Sequence, residues 1–344
     1  MSRVSRLFSH QLSGLVLLIL ALGVVLTLFA GTHENRLTGQ TVNNFLNLST
    51  LMNVGKDASL FAIMAVGITV VIISGGIDLS VGSIYALASV GSAMALRGNA
   101  SGDGGTVLAA LALCLGIGLA CGLANGVMVA TLKVHPFIVT LGTMWVFRGI
   151  AFVTSQAQSI VVPTAWTDVI KATLGFSQGV FPVPMIVMIL VAAAGAVFLG
   201  MMVTGRHVFA LGGSEGASRY AGLPIDRIRV TVYTLSGLCA GIAAFVGTGY
   251  YGAASSADAT GYELYVIASA VVGGASLAGG RGSAIGAMLG AVLIVLMRQG
   301  IRTLKLDQNY EWIIIGSAIV IAVVLDRLNA AWSERRLIAR ARTE

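Results

Sequence analysis

Long apolar runs, each about the length of a membrane-crossing helix, fill most of the chain, with short polar or glycine-rich stretches between them. A helix needs about 20 apolar residues to cross the hydrocarbon core of a bilayer. Run length and breaker residues together predict ten such segments, at roughly 12–30, 55–74, 79–96, 107–131, 137–153, 183–203, 228–250, 263–278, 282–299 and 310–326. The ninth and tenth are short enough for one of them to be re-entrant. The expected fold is therefore an all-α integral membrane protein, with residues 1–344 forming a single transmembrane domain.

Two connections are long. Residues 154–182 contain Trp166 and end in Phe181-Pro182-Val183-Pro184, so a short surface helix is expected there. Residues 204–227 carry a helix start and stop of their own. Ser214 suits an N-cap, Glu215 falls in the first turn, and Gly222 with Pro224 ends the helix.

Composition agrees with the pattern. Of the 344 residues 56% are hydrophobic and only 10% charged, against about 25% charged in a soluble domain. The first ten residues are basic and the apolar run after them is long, so the segment is expected to be retained rather than cleaved as a signal peptide. The three cysteines, Cys114, Cys121 and Cys239, all lie in apolar runs. An odd number so placed argues for packing rather than a disulfide framework or metal cluster.

A net charge of +7 reports orientation here rather than nucleic-acid binding. With the N-terminus inside, Arg3, Arg6, Lys133, Arg206, Arg219, Arg227, Arg229, Arg281 and the cluster from Arg327 on face the cytoplasm. Arg36, Lys56, Arg97, Lys171, Arg298, Arg302 and Lys305 face outward, which leaves Arg148 inside a segment. The bias predicts both termini inside.

No catalytic set stands out. His10, His33, His135 and His207 are scattered, and no phosphate-binding loop with its lysine occurs. Any ATP used must be bound by another chain. The remaining candidates are polar residues within the segments: Asp78, Ser80, Asn125, Thr140, Thr143, Arg148, Gln156, Gln158 and Glu263. The ten-segment topology puts Asp78 near the inner ends of segments two and three, and Glu263 at the outer start of segment eight. Neither position is the midplane, where an ion-coupled carrier keeps its carboxylates.

Several readings stay open at these residues. Asp78 either caps the third helix by accepting from the Ser80 or Val81 N–H, or stands at an inner gate; Gly75 and Gly76 serve both. Asn125 either lines a pathway or bonds a neighbouring helix. Thr140 and Thr143 bond the preceding turn or face a pathway, and Trp145 either packs or stacks on a ligand. Tyr262 and Glu263 start a helix or meet an external partner. SGGIDLSVGSIYALASVGSAM at 74–94 also echoes VGGASLAGGRGSAIGAMLGAV at 272–292, which is either an internal repeat or a shared need for small packing residues.

GGIDLSVGS at 75–83, LANGVMVATLKVHPFIVTLGTMWVFRGIAF at 123–152 and FALGGSEGASRYAGLPIDRIRV at 209–230 together resemble the ribose/arabinose/galactoside-type permeases of bacterial ABC importers. The resemblance continues through YTLSGLCAGIAAFV at 233–246, YELYVIASAVVGGASLAGGRGSAIGAMLGA at 262–291 and DRL at 326–328. It implies an inner-membrane sugar permease working by alternating access, paired with a second copy or a related permease. Its other implied partners are a cytoplasmic ATP-binding subunit, which holds ATP and Mg, and a periplasmic sugar-binding protein. No cofactor is expected on this chain. The 204–227 loop resembles the family's coupling segment, which carries that role to Gly213, Glu215, Ala217, Arg219 and Gly222. Ser214 replaces a common Asn, and Ala217-Ser218 a common Ala-Ala. An ion-coupled secondary carrier is the alternative, and a channel or membrane-embedded enzyme is third.

Overall fold

The computed structural model describes residues 3–34, 39, 41–98, 102–176, 179–318, 320, 321 and 324, with side chains from residue 12 on. The chain opens with α1 (Arg3–Phe29), a small antiparallel hairpin of β1 (Thr32–Glu34) and β2 (Thr41–Asn43), and the central helix α2 (Leu48–Ile73). Then come α3 (Val81–Ala95), α4 (Gly104–Leu132), α5 (Pro136–Ser155), β3 (Ile160–Val161) and α6 (Thr164–Ile170). They are followed by α7 (Val183–Met201), α8 (Val203–Gly213), α9 (Glu215–Tyr220) and α10 (Ile225–Tyr251). The last elements are β4 (Ala253–Ala254), which pairs with β3, then α11 (Tyr262–Val272) and α12 (Ala284–Thr303). Residues 310–318 are helical. The rest of the tenth expected segment lies largely outside the described residues, as does the basic cluster from Arg327.

Seven of the described helices are long and apolar enough to cross a membrane: α1, α2, α4, α5, α7, α10 and α12. The third and eighth expected segments fall short. At 15 and 11 residues and 1.5 Å per residue, α3 and α11 reach about 22 and 17 Å, against a hydrocarbon core of about 30 Å. Each adjoins a glycine pair: α3 follows the break at Gly75-Gly76 and α11 ends at Gly273-Gly274. α11 stops at Gly273-Gly274, within the range expected as one helix over 263–278, because a left-handed glycine turns the chain there.

The two interruptions close alike. Gly75 (φ +85°) donates to Ile72 O and Gly76 N–H to Val71 O; Gly274 (φ +98°) donates to Val271 O and Ala275 N–H to Ala270 O. Both are helix ends sealed by a six-to-one bond over a left-handed glycine. The sequence echo at 74 and 272 thus has a counterpart in local geometry.

Packing centres on α2, whose residues Ala58–Ile73 are buried all round, the signature of a helix enclosed by others. α4 and α10 run antiparallel in close backbone contact. A methyl group at Gly122 would lie 2.5 Å from Tyr233 O, and one at Gly126 would lie 2.7 Å from Val230 Cα. Small residues at four-residue spacing permit this approach.

Two loop expectations change. The helix in 154–182 forms as α6, but Trp166 is fully buried: it donates to Phe245 O at 3.0 Å and stacks on the Phe245 ring. It is an anchor rather than a surface helix. Residues 204–213, expected as loop, fall in α8, because Val208 and Leu211 are buried and Gly205 packs directly on the Phe198–Leu199 backbone of α7.

Candidate functional site

The chain between α2 and α3 turns at Gly75 (φ +85°) and places Asp78 inside the bundle with no exposed surface. Asp78 Oδ1 accepts from Ser80 N–H at 2.9 Å and from Ser80 Oγ at 2.6 Å, while Oδ2 accepts from Ser236 Oγ at 2.8 Å. Ser80, not Asp78, occupies the N-cap position of α3. Asp78 lies between the end of α2 and the start of α3, as the ten-segment topology has it, and its bond to Ser236, near the middle of α10, shows that this junction is recessed into the bundle.

Neighbouring helices are tied to the same break. Asn125 of α4 donates to Ser80 Oγ at 2.7 Å, and its Oδ1 has no hydrogen-bond partner among the described residues. Thr140 of α5 and Tyr233 of α10 both donate to Ile77 O, at 3.1 and 3.3 Å. Thr140 also bonds the preceding turn through Pro136 O, and Thr143 bonds Thr140 O. Thus Gly75, Gly76, Asp78, Ser80, Asn125 and Thr140 come together in one polar knot that joins α2, α3, α4, α5 and α10. Asn125 and Thr140 are sealed within it. Trp145 is apart, 68% exposed on the outer face of α5.

Tyr262 and Glu263 do not stand at the end of the bundle. Tyr262 packs on Phe61, midway along α2, and Glu263 lies against the first turn of α3, where a methyl group on Gly82 would be 2.8 Å from its Oε2. Arg148 causes this. Its Nη1 donates to Ser256 O at 2.7 Å and Asp258 O at 2.6 Å, holding the 255–261 segment down inside the bundle. These two carbonyls are the partners that the sequence could not supply for Arg148. Gln156 and Gln158 are exposed beyond the end of α5.

At the opposite end, α8 and α9 meet at Ser214, whose side chain accepts from Ala217 N–H. Glu215 accepts from Arg219 at 2.9 Å and from Arg229 of α10 at 2.7 Å, which braces α9 against α10. The pairs are solvent-exposed and worth about 0–1 kcal/mol each; they orient more than they stabilise. Gly213, Glu215, Ala217, Arg219 and Gly222 are all exposed, with Gly222 at φ +74° ending the helix. Tyr220, which no sequence pattern singles out, is 94% exposed. A cleft of about 850 Å³ separates this corner from the α4–α5 turn, between Gly75, Lys133, His135, Gly212, Arg219 and Tyr233.

The knot thus fastens the α2–α3 break to α4, α5 and α10, and the α8–α9 corner stands exposed beside the cleft. Comparison with known proteins gives this arrangement a setting. Residues 50–323 match the family described as branched-chain amino acid transport system / permease component. The chain is 37% identical to the ribose import permease protein of Escherichia coli (strain K12) over 291 residues, 82% of this chain and 87% of that protein. It is 34% identical to the D-allose transport system permease protein of the same strain, covering 83% and 85%. Identity to the fructose import permease protein of Rhizobium meliloti is 31%, covering 91% and 83%. The chain belongs to this family of transport-system permease components.

Proposed function

We propose that this permease is the membrane-spanning subunit of an ATP-driven importer for a small sugar or related polyol. The observation that carries the reading is the similarity, over more than four-fifths of the chain, to import permeases named for ribose, allose and fructose. The family description speaks of branched-chain amino acids, but these near full-length relatives are sugar permeases, which favours a sugar.

In this reading the α8–α9 end faces the cytoplasm, both termini lie inside, α3 and α11 join the seven long helices as halves of interrupted elements, and the helix that begins at residue 310 makes ten segments. α9 is the coupling helix, and Gly213, Glu215, Ala217, Arg219 and Gly222 meet a cytoplasmic ATP-binding subunit that carries ATP and Mg. A periplasmic sugar-binding protein delivers the substrate, and a second copy or a related permease completes the pathway. Gly75, Gly76, Asp78 and Ser80 form the lock that shifts as access alternates. Asn125 and Thr140 act within that lock, and Thr143 sits beside it, whereas Trp145, on the open face of α5, lines the pathway. Glu263, held midway along the bundle, suits the pathway better than contact with the binding protein; Tyr262 supports it from behind.

An ion-coupled carrier would need no ATPase. The test is affinity purification of the tagged chain in mild detergent, followed by mass spectrometry. Recovery of a protein with a phosphate-binding loop supports the importer. Its absence from repeated preparations that retain the folded permease would favour a solitary carrier.

A further inference from the structure

Three backbones meet at Gly212, the penultimate residue of α8. A methyl group there would overlap the carbonyl oxygen of Ile73, at the end of α2, and lie 2.5 Å from the Gly280 nitrogen in the turn between α11 and α12. The contact is reciprocal: a methyl group on Gly279 would lie 2.7 Å from Gly212 O, and one on Gly280 would lie 3.0 Å from Gly213 Cα. The Gly280 N–H donates to Ile73 O at 2.8 Å, so the two interrupted elements are bonded directly across the same point. At Gly212 it is lack of room rather than a left-handed backbone that demands glycine.

We infer that Gly212 is the transmission point through which movement of the α8–α9 corner reaches both helix breaks at once. The inference rests on the coupling role proposed for α9. On one side the contact leads through Ile73 and the Gly75 turn to Asp78, and so to α3, α4 and α10. On the other it leads through Gly279–Gly280 to the junction of α11 and α12, where Gly273 and Gly286 are again in backbone contact. Side-chain contacts absorb small shifts by changing rotamer. Backbone packed on backbone has no such slack, so a displacement of α8 is passed on. A cleft opens beside this junction rather than across it, which leaves α9 room to swing while Gly212 stays engaged.

The test uses the whole importer, with its ATPase and binding protein, in lipid nanodiscs and in sugar-loaded uptake assays. Gly212→Ala is expected to retain the ATPase on co-purification but to lose sugar-stimulated ATP hydrolysis and uptake at least tenfold. Gly200→Ala, where a methyl group meets nothing within 4 Å, stays within twofold of the unaltered complex. Stimulation by Gly212→Ala within twofold of normal overturns the inference, and so does loss of the ATPase itself, which would make Gly212 part of the docking surface. If the unaltered chain binds no ATPase, the importer reading fails instead, and the inference with it.

A second measurement does not depend on how well the alanine variant folds. Nitroxide labels at Arg206→Cys on α8 and Ala278→Cys in the α11–α12 turn, in a background without Cys114, Cys121 and Cys239, report whether the two move together. Their separation is expected to stay constant between ATP-free and ATP-bound complexes while that between Arg206→Cys and Leu132→Cys, at the end of α4, changes. A change in the first pair, or none in either, overturns the inference.

Discussion

Replacing Asp78 separates the contribution of its hydrogen bonds from that of its size. The carboxylate accepts three bonds at a position with no exposed surface: two from Ser80 and one from Ser236. Asp78→Ala removes both acceptor oxygens and with them all three bonds. The Ser236 hydroxyl can turn to a carbonyl of its own helix, so its loss is largely made good. The Ser80 N–H has no such alternative, and a buried donor left unpaired costs about 1–3 kcal/mol. The Ser80 hydroxyl, still held by Asn125 on its acceptor side, adds roughly another 1 kcal/mol. The total is about 2–4 kcal/mol, before the cavity left by the carboxyl group is considered. Asp78→Asn keeps Oδ1 for Ser80 and offers its amide to the Ser236 oxygen, so about 1 kcal/mol is expected. Thermal unfolding in mild detergent, followed by near-ultraviolet circular dichroism, should rank the proteins as unaltered, Asp78→Asn, Asp78→Ala. At about 2 °C per kcal/mol for a chain this long, the alanine protein should melt roughly 4–8 °C below the unaltered one. Equal melting of the alanine and asparagine proteins would refute the claim that these bonds fasten the break.

Three further outcomes follow from other contacts. Gly122→Ala places a methyl group 2.5 Å from Tyr233 O and should cost about 1–3 kcal/mol by overpacking, whereas Gly116→Ala, open on the far face of α4, should melt normally. Arg148→Ala releases the Ser256 and Asp258 carbonyls, so amide hydrogen exchange in residues 255–261 should accelerate at least tenfold; unchanged protection would mean that the segment is held by something else. Tyr220→Ala, at a residue 94% exposed, should leave the melting temperature within about 1–2 °C of normal, as expected of a surface change within about 0.5 kcal/mol. The same substitution should weaken retention of the ATPase on a pull-down column severalfold.

How much of the fold and the site is legible in the sequence depends on the range of the cause. Ser214 as a cap and Gly222 as a stop are local chemistry, and α9 forms between them. The break at SGGIDLSVGS is equally visible, because a glycine pair and a carboxylate between two apolar runs interrupt a helix wherever they fall. Its depth is not visible. That follows from the bond between Ser236 and Asp78 and from the Gly280–Ile73 contact, both made across more than 150 residues of chain. The expected run of one helix through Gly273-Gly274 meets the same limit. In sequence those glycines pass for small packing residues, and only their contact with Gly286 and the left-handed turn at Gly274 reveal an end. Likewise, Arg148 is satisfied by backbone carbonyls from a distant loop, and no residue type in that loop advertises them. Gly212 carries no signal apart from its neighbour Gly213; only the space around it tells them apart.

An importer of the kind proposed moves a sugar with energy supplied by a partner's ATP, and transport itself is the quantity to measure. Uptake of radiolabelled ribose, allose and fructose would be followed in proteoliposomes holding the purified permease with its co-purified ATPase, the binding protein being added outside. At least one of these sugars should enter in a way that requires ATP inside the vesicles and survives collapse of proton and sodium gradients by ionophores. Uptake by the permease alone, driven by an imposed ion gradient and indifferent to ATP, would contradict the proposal.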